Sequence, residues 1–265
     1  MPLHSEHGGH GPRLVLMHGF TQTGRCWGPV GERLARGYEV IRLDAPGHGG
    51  SSDVQADLVE TAGLAAEATG PEPAVYVSYS MGARMALHVA LGYPEVVRAL
   101  VMVGGTAGIP DDDERAARHE RDRALAQELR DRGVDAFLDG WLAQPLFKDL
   151  PGWARFDEER RRNTADGLAG SLELAGTGSQ APRWDDLDQL AMPVLLVAGA
   201  DDARYAEIAG GMSRRIGPNA EVALVPDAGH AAHLEQPDRF LELLLPWLGQ
   251  PESQRPTATN RPKPS

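Results

Sequence analysis

Residues 74–91 read Ala-Val-Tyr-Val-Ser-Tyr-Ser-Met-Gly-Ala-Arg-Met-Ala-Leu-His-Val-Ala-Leu. The run from Ala74 to Ser78 has the length and apolar character of a buried strand. From Met81 the composition turns to Ala, Leu and Met, which favour helix. Two residues separate the two, so the chain must pass from strand to helix through a sharp turn with Ser80 at its apex. Such a turn tolerates only small neighbours. Gly82 supplies one; Ser78 stands where a glycine is usual. A serine so placed aims its hydroxyl out of the sheet, and the N–H of Met81 at the helix N-terminus is offered to an anion. A serine that merely caps a helix is the alternative, and the clean strand before Ser80 favours the reactive reading.

The surrounding sequence repeats the theme. Arg13 to His18, Glu39 to Asp44, Ala99 to Val103, Pro193 to Ala198 and Glu221 to Val225 read as further strands, each a short apolar run. Trp27 to Leu34, Arg204 to Ile216 and Pro237 to Leu248 read as helices. Strands alternating with helices predict an α/β fold, a mostly parallel central sheet with helices on both faces. Residues 110–184 break the rhythm with a charged helical body (Asp111 to Arg132) and an apolar patch (Val134 to Leu146). They are expected to form a helical cap inserted into a core of residues 12–109 and 185–249. The polar, His/Gly-rich residues 1–11 are expected to be a flexible leader. Residues 250–265, almost free of apolar side chains, are expected to be disordered.

Composition narrows the function classes. A net charge of −12 repels nucleic acid and anionic lipid, so a small anionic ligand would need a local cluster of arginines. No apolar run approaches the roughly 20 residues of a membrane span, and no secretory leader is evident. The single cysteine, Cys26, excludes a disulfide framework and a cysteine-based zinc site, which makes the cytoplasm the expected location. A monomer or homodimer suffices.

A reactive serine needs a base, and the base an orienting carboxylate. His230, in Asp-Ala-Gly-His230 after a strand, is the candidate base. His233, one helical turn later, is expected to shape the loop or face solvent. Asp202 in Gly199-Ala-Asp-Asp202 is preferred to Asp201 because Gly-x-x-Asp suits the loop better. The chain order is serine, acid, histidine. His18-Gly19-Phe20 ends the first of these strands, and the N–H of Phe20 is the candidate second oxyanion donor. The Gly-rich loop from Asp44 to Ser52 lacks the spacing of a phosphate cradle and is read as a structural turn. His4, His7 and His10 are read as part of the flexible leader, with no metal.

Taken together, His18-Gly-Phe, Asp44-x-Pro-Gly-His-Gly-x-Ser51, Ser78-Tyr-Ser-Met-Gly-Ala-Arg84, Gly199-x-x-Asp202 and Gly229-His230 resemble the α/β-hydrolase superfamily from Arg13 to Gly249. Within it, Tyr79, Arg84, Arg118 in Ala-Ala-Arg118, Trp141 in Trp-Leu-Ala-Gln-Pro-Leu-Phe147, and Arg162 before Gly167 are similar to the 2-succinyl-6-hydroxy-2,4-cyclohexadiene-1-carboxylate synthases of menaquinone biosynthesis. The resemblance implies that these five residues bind a substrate with several carboxylates, which guanidinium groups suit. It also implies a pyruvate-eliminating lyase in which Ser80 acts as base, with no metal or organic cofactor. Ser78, Ala83 and Asp201-Asp-Ala-Arg-Tyr205 depart from the narrower pattern. The competing reading is a serine hydrolase (carboxylesterase, thioesterase or lactonase) working through an acyl-enzyme, since the same triad serves both. A partner-binding protein on the same fold is a third, and the complete Ser, Asp and His set argues against it.

Overall fold

The computed structural model describes residues 2–250. Seven strands form one sheet: β1 (Ser5–Gly8), β2 (Arg13–Met17), β3 (Glu39–Leu43), β4 (Ala74–Tyr79), β5 (Val97–Val103), β6 (Val194–Gly199) and β7 (Ala220–Val225). Their order is β1-β3-β2-β4-β5-β6-β7. β1 pairs antiparallel with β3, and every other pair is parallel. The helices are α1 (Gly28–Leu34), α2 (Leu58–Thr69), α3 (Met81–Gly92), α4 (Asp112–Leu142), α5 (Asp157–Arg160), α6 (Ala165–Ala175), α7 (Ala203–Ile216), α8 (Ala232–Glu235) and α9 (Pro237–Gly249).

The two-residue period of the strands divides the core. Val15, Met17, Tyr76, Leu100 and Met102 point to one face, where α2, α3 and α7 cover them. Leu14, Leu16, Val75, Val77, Val101 and Val103 point to the other, under α1, α8 and α9. Burial on both faces is why these strands read as continuous apolar runs and not as alternating ones. β4 lies at the centre, between β2 and β5. The loops after β2 and β4 therefore leave the same edge of the sheet side by side, where ligands of open parallel sheets bind.

The expectation of a flexible leader is corrected. Residues 5–8 form β1, in register with β3 from Ser5 opposite Leu43 to Gly8 opposite Val40. His4 contacts the Asp44 carboxylate through Nδ1 at 2.9 Å, and its N–H donates to Ser51 Oγ. Leu3 is buried. Ser-Glu-His-Gly carries no β-branched or aromatic signal, so only its pairing partner makes it a strand. The expected disordered tail falls, from residue 251 on, outside the described residues. No helix among the described residues is long and apolar enough to cross a membrane.

Residues 110–184 contain no strand among the described residues. α4 breaks at Gly133, which adopts φ 75° and ψ 170°, where the charged body gives way to the apolar patch. Ala126, Leu129 and Phe137 of α4 pack on Leu168, Ala169 and Leu172 of α6, with Phe20 and Trp141 against them. This small core sets α4 and α6 over the loop that follows β2.

Candidate active site

Ser80 occupies the apex of the β4–α3 turn at φ 51° and ψ −107°, a conformation a non-glycine residue holds only under constraint. Its N–H donates to Val103 O at 2.8 Å, and the N–H of Gly82 donates to His18 O at 3.0 Å. α3 starts so close to β2 that a Cβ on Gly82 would lie 2.4 Å from Met17 O. The Ser80 hydroxyl makes no capping bond to α3. Ser78 fits in place of glycine because its buried hydroxyl donates to Val101 O at 2.7 Å.

His230 Nε2 lies 3.1 Å from Ser80 Oγ, and His230 Nδ1 lies 3.0 Å from Asp202 Oδ2. Asp202 Oδ1 accepts the N–H of Tyr205 at 3.2 Å. Burial disfavours the charged Asp202 carboxyl, but the hydrogen bonds from His230 and Tyr205 outweigh it and hold its pKa below the ordinary value. Asp201 is exposed. Gly104, at φ 58°, lets the imidazole approach, since a Cβ there would sit 2.9 Å from His230 Cε1. His233 neither faces solvent nor joins this line. It is buried against Trp27 and Tyr79, with ring centroids 4.6 and 4.5 Å away. Burial pushes its pKa down to about 3.

After β2, Gly19 packs so tightly that a Cβ would lie 2.6 Å from the Tyr79 ring, and its N–H donates to Gln22 Oε1 at 3.0 Å. The N–H groups of Phe20 and Met81 meet no acceptor among the described residues. Both residues, with Ser80, line a cavity of about 630 Å³.

Five arginines line that cavity, Arg84, Arg118, Arg121, Arg160 and Arg204, against a single acid, Glu114. Arg84 is buried and donates to Ala175 O at 2.7 Å. Burial, and then the neighbouring Arg118, push its pKa down to about 10, which leaves it charged at neutral pH. Arg118 is aimed by Asp122, which accepts from its Nε at 2.8 Å and is itself buried. Trp141 stacks on Phe137 and meets the edge of Phe20, with centroids 5.7 and 5.2 Å apart. Its Nε1 is buried without an acceptor among the described residues. Tyr79 packs its ring 5.5 Å from that of His230.

Arg162 is the misplaced member of the expected set. Its side chain is 54% exposed, pairs with Glu159 at 3.6 Å and lines a separate small recess beside His4 and Asp44. Arg160 takes the inward place. It is 1% exposed, donates to Arg155 O at 2.6 Å and to Phe20 O at 3.4 Å, and also donates to Thr21 Oγ1. The register is set by Phe156, whose left-handed conformation starts the four-residue α5 and turns its last residue inward. Tyr205 is a further lining residue, its ring 4.4 Å from that of His230.

Known proteins are similar to this chain over most of its length. A Bacillus subtilis protein that carries the provisional name 2-succinyl-6-hydroxy-2,4-cyclohexadiene-1-carboxylate synthase is 33% identical over 251 residues, 89% of each chain. The synthase of that name from Serratia proteamaculans is 30% identical over 249 residues, which span 91% of this chain and 94% of that one. The structure of MenH from S. aureus superposes with a TM-score of 0.85 at 27% identity, over 92% of this chain and 97% of that one. Residues 14–243 match the family described as the alpha/beta hydrolase family, and the chain belongs to it.

Proposed function

We propose that this protein is a carbon–oxygen lyase. It eliminates pyruvate from 2-succinyl-5-enolpyruvyl-6-hydroxy-3-cyclohexene-1-carboxylate and leaves 2-succinyl-6-hydroxy-2,4-cyclohexadiene-1-carboxylate. The observation that carries the reading is a Ser80–His230–Asp202 line opening into a cavity with five arginines and one acid, inside a chain of net charge −12. The names of the relatives supply the product.

Asp202 accepts the Nδ1–H of His230, which leaves Nε2 as the acceptor facing Ser80. Ser80 gives its hydroxyl proton to Nε2 while its Oγ takes the ring proton beside the succinyl carbonyl. The electron pair of that C–H bond moves toward the carbonyl oxygen, where the N–H groups of Phe20 and Met81 receive the charge. Return of the pair forms a new ring double bond at that carbon, shifts the existing ring C=C one place toward the enolpyruvyl group, and breaks the C–O bond to the enolpyruvyl oxygen. The leaving oxygen takes the proton held on His230, and enolpyruvate becomes pyruvate. The step balances without metal or organic cofactor, and no acyl-enzyme forms. Arg84, Arg118 and Arg160 hold the substrate carboxylates, Trp141 offers its indole N–H, and Tyr79 backs the imidazole. The single cysteine, Cys26, is buried as a free thiol, which suits a cytoplasmic enzyme.

Purified protein is expected to release one pyruvate per substrate, and Ser80→Ala to lower that rate by about 10³-fold or more. Wild-type protein that releases no pyruvate, but turns over nitrophenyl esters with an acyl-enzyme burst, would replace this reading with the hydrolase one.

A further inference from the structure

Thr21 follows the proposed oxyanion donor Phe20 and is a buried, β-branched residue at φ 66°, a region such residues avoid. All its polar groups are held from outside the turn. Its N–H donates to His48 Nε2 at 3.2 Å, and its carbonyl accepts from Asn163 Nδ2 at 2.7 Å. Its hydroxyl accepts from Arg160. His48 Nδ1–H donates to Pro46 O at 2.9 Å, which leaves Nε2 as the acceptor. Burial, and then the neighbouring His18, push the His48 pKa down to about 3, so the ring stays neutral in the working range. The Asn163 amide has one sensible orientation. Its Oδ1 accepts the N–H of Gly49 at 2.8 Å, while Nδ2 faces the carbonyls of Thr21 and Arg160, the latter at 2.9 Å. A flipped amide would set oxygen against both carbonyls.

We propose that Asn163 is a positioning residue that holds the Thr21–Gln22 peptide, and through Thr21 the oxyanion hole, from the side of the residues 110–184. It touches no reacting atom and acts through the Thr21 carbonyl. His48 clamps the opposite, N–H side of the same residue from the loop after β3. Without the donor from Asn163 the left-handed turn relaxes, and the Phe20 N–H leaves the place where charge develops. Arg160 gives its own carbonyl to Asn163 and grips the same turn, so a substrate carboxylate held by Arg160 bears on the oxyanion loop as well.

The inference rests on the reading of Phe20 as an oxyanion donor, but the labelling arm of its test does not need the lyase substrate. A fluorophosphonate that phosphonylates Ser80 places its phosphoryl oxygen in the same hole. The full-length protein is labelled alongside N163A, N163D and R161A, each shown folded by circular dichroism at the assay temperature. Asn163→Asp keeps the acceptor for Gly49 and removes the donors to Thr21 and Arg160. Arg161 points outward to Asp135, and R161A is expected to label at the wild-type rate. N163A and N163D are expected to label about 10- to 100-fold more slowly, with kcat for pyruvate release falling in parallel and KM within about threefold. Wild-type labelling in N163D would overturn the proposal, as would a loss confined to KM. If N163A fails to fold, N163D decides. A wild-type chain that resists labelling overturns the reading of Ser80 itself, and the proposal with it.

Discussion

Ser78 stands where turns of this kind usually carry glycine, and the Val101 carbonyl on the adjacent strand takes its hydroxyl. The serine gains a buried hydrogen bond where glycine would have only space. Ser78→Gly is therefore expected to leave pyruvate release within about twofold, and to lower unfolding free energy by about 1 kcal/mol in a denaturant titration. The arginines differ more sharply. Arg160→Ala removes a charge-assisted contact of the kind worth about 1.5–3 kcal/mol, and frees the Phe20–Thr21 turn it grips. Steady-state kinetics should show KM raised by about 10-fold or more together with a lower kcat. Arg162→Ala, which loses only the pairing of its exposed side chain with Glu159, should change neither by more than about twofold. Equal losses in both variants would mean that the cavity is not fed by Arg160.

The turn at Ser80 holds its shape because two elements meet with no room between them. A methyl on Gly82 has to displace Met17 O, which is backbone of β2. Gly82→Ala is expected to push α3 off the sheet, cost about 1–3 kcal/mol as overpacking does, and slow pyruvate release more than Ser78→Gly does. Thermal melts and rates on the two variants compare them directly. This element was legible in the sequence because an apolar strand, a turn and a helix follow one another without a gap. The meeting of Ser80, His230 and Asp202 was legible for the same reason: each lies just beyond a strand that is a short apolar run. What escaped the reading depends on distant partners. β1 is a strand only because β3 lies beside it. His48 and Asn163 meet Thr21 from 27 and 142 residues away. The choice of Arg160 over Arg162, among three successive arginines, turns on the backbone of Phe156, which no local pattern announces.

Among the described residues, four histidines, His18, His48, His88 and His233, are folded into sites that refuse a proton. Burial is the leading cause at each, and pushes the pKa of His48 and His233 down to about 3 and that of His88 to about 4. In the unfolded chain each returns to about 6.5. Between these values the unfolded state binds more protons, so stability rises with pH there and is lost on acidification from about pH 6.5 downward. Asp44 and Asp202 add a loss at lower pH. At both, burial works against the charge, but hydrogen bonds and neighbouring histidines hold the folded pKa below the ordinary value of 3.8, so their contribution fades as the pH falls through it. The histidine part is separable. His233 packs on Trp27, Tyr79 and Phe240, and its Nδ1 has no partner among the described residues. A ring that cannot take a proton can therefore replace it without breaking a bond. His233→Phe carries whatever packing offset the extra volume brings at pH 8. Relative to that offset, it is expected to recover about 2 kcal/mol at pH 5, the value of a group with pKa 6.5 unfolded and 3 folded. Denaturant titrations of both proteins at pH 8 and pH 5 measure this as a change of slope, which an offset in packing does not mimic. Parallel pH profiles for the two would mean that His233 takes its proton in the folded state.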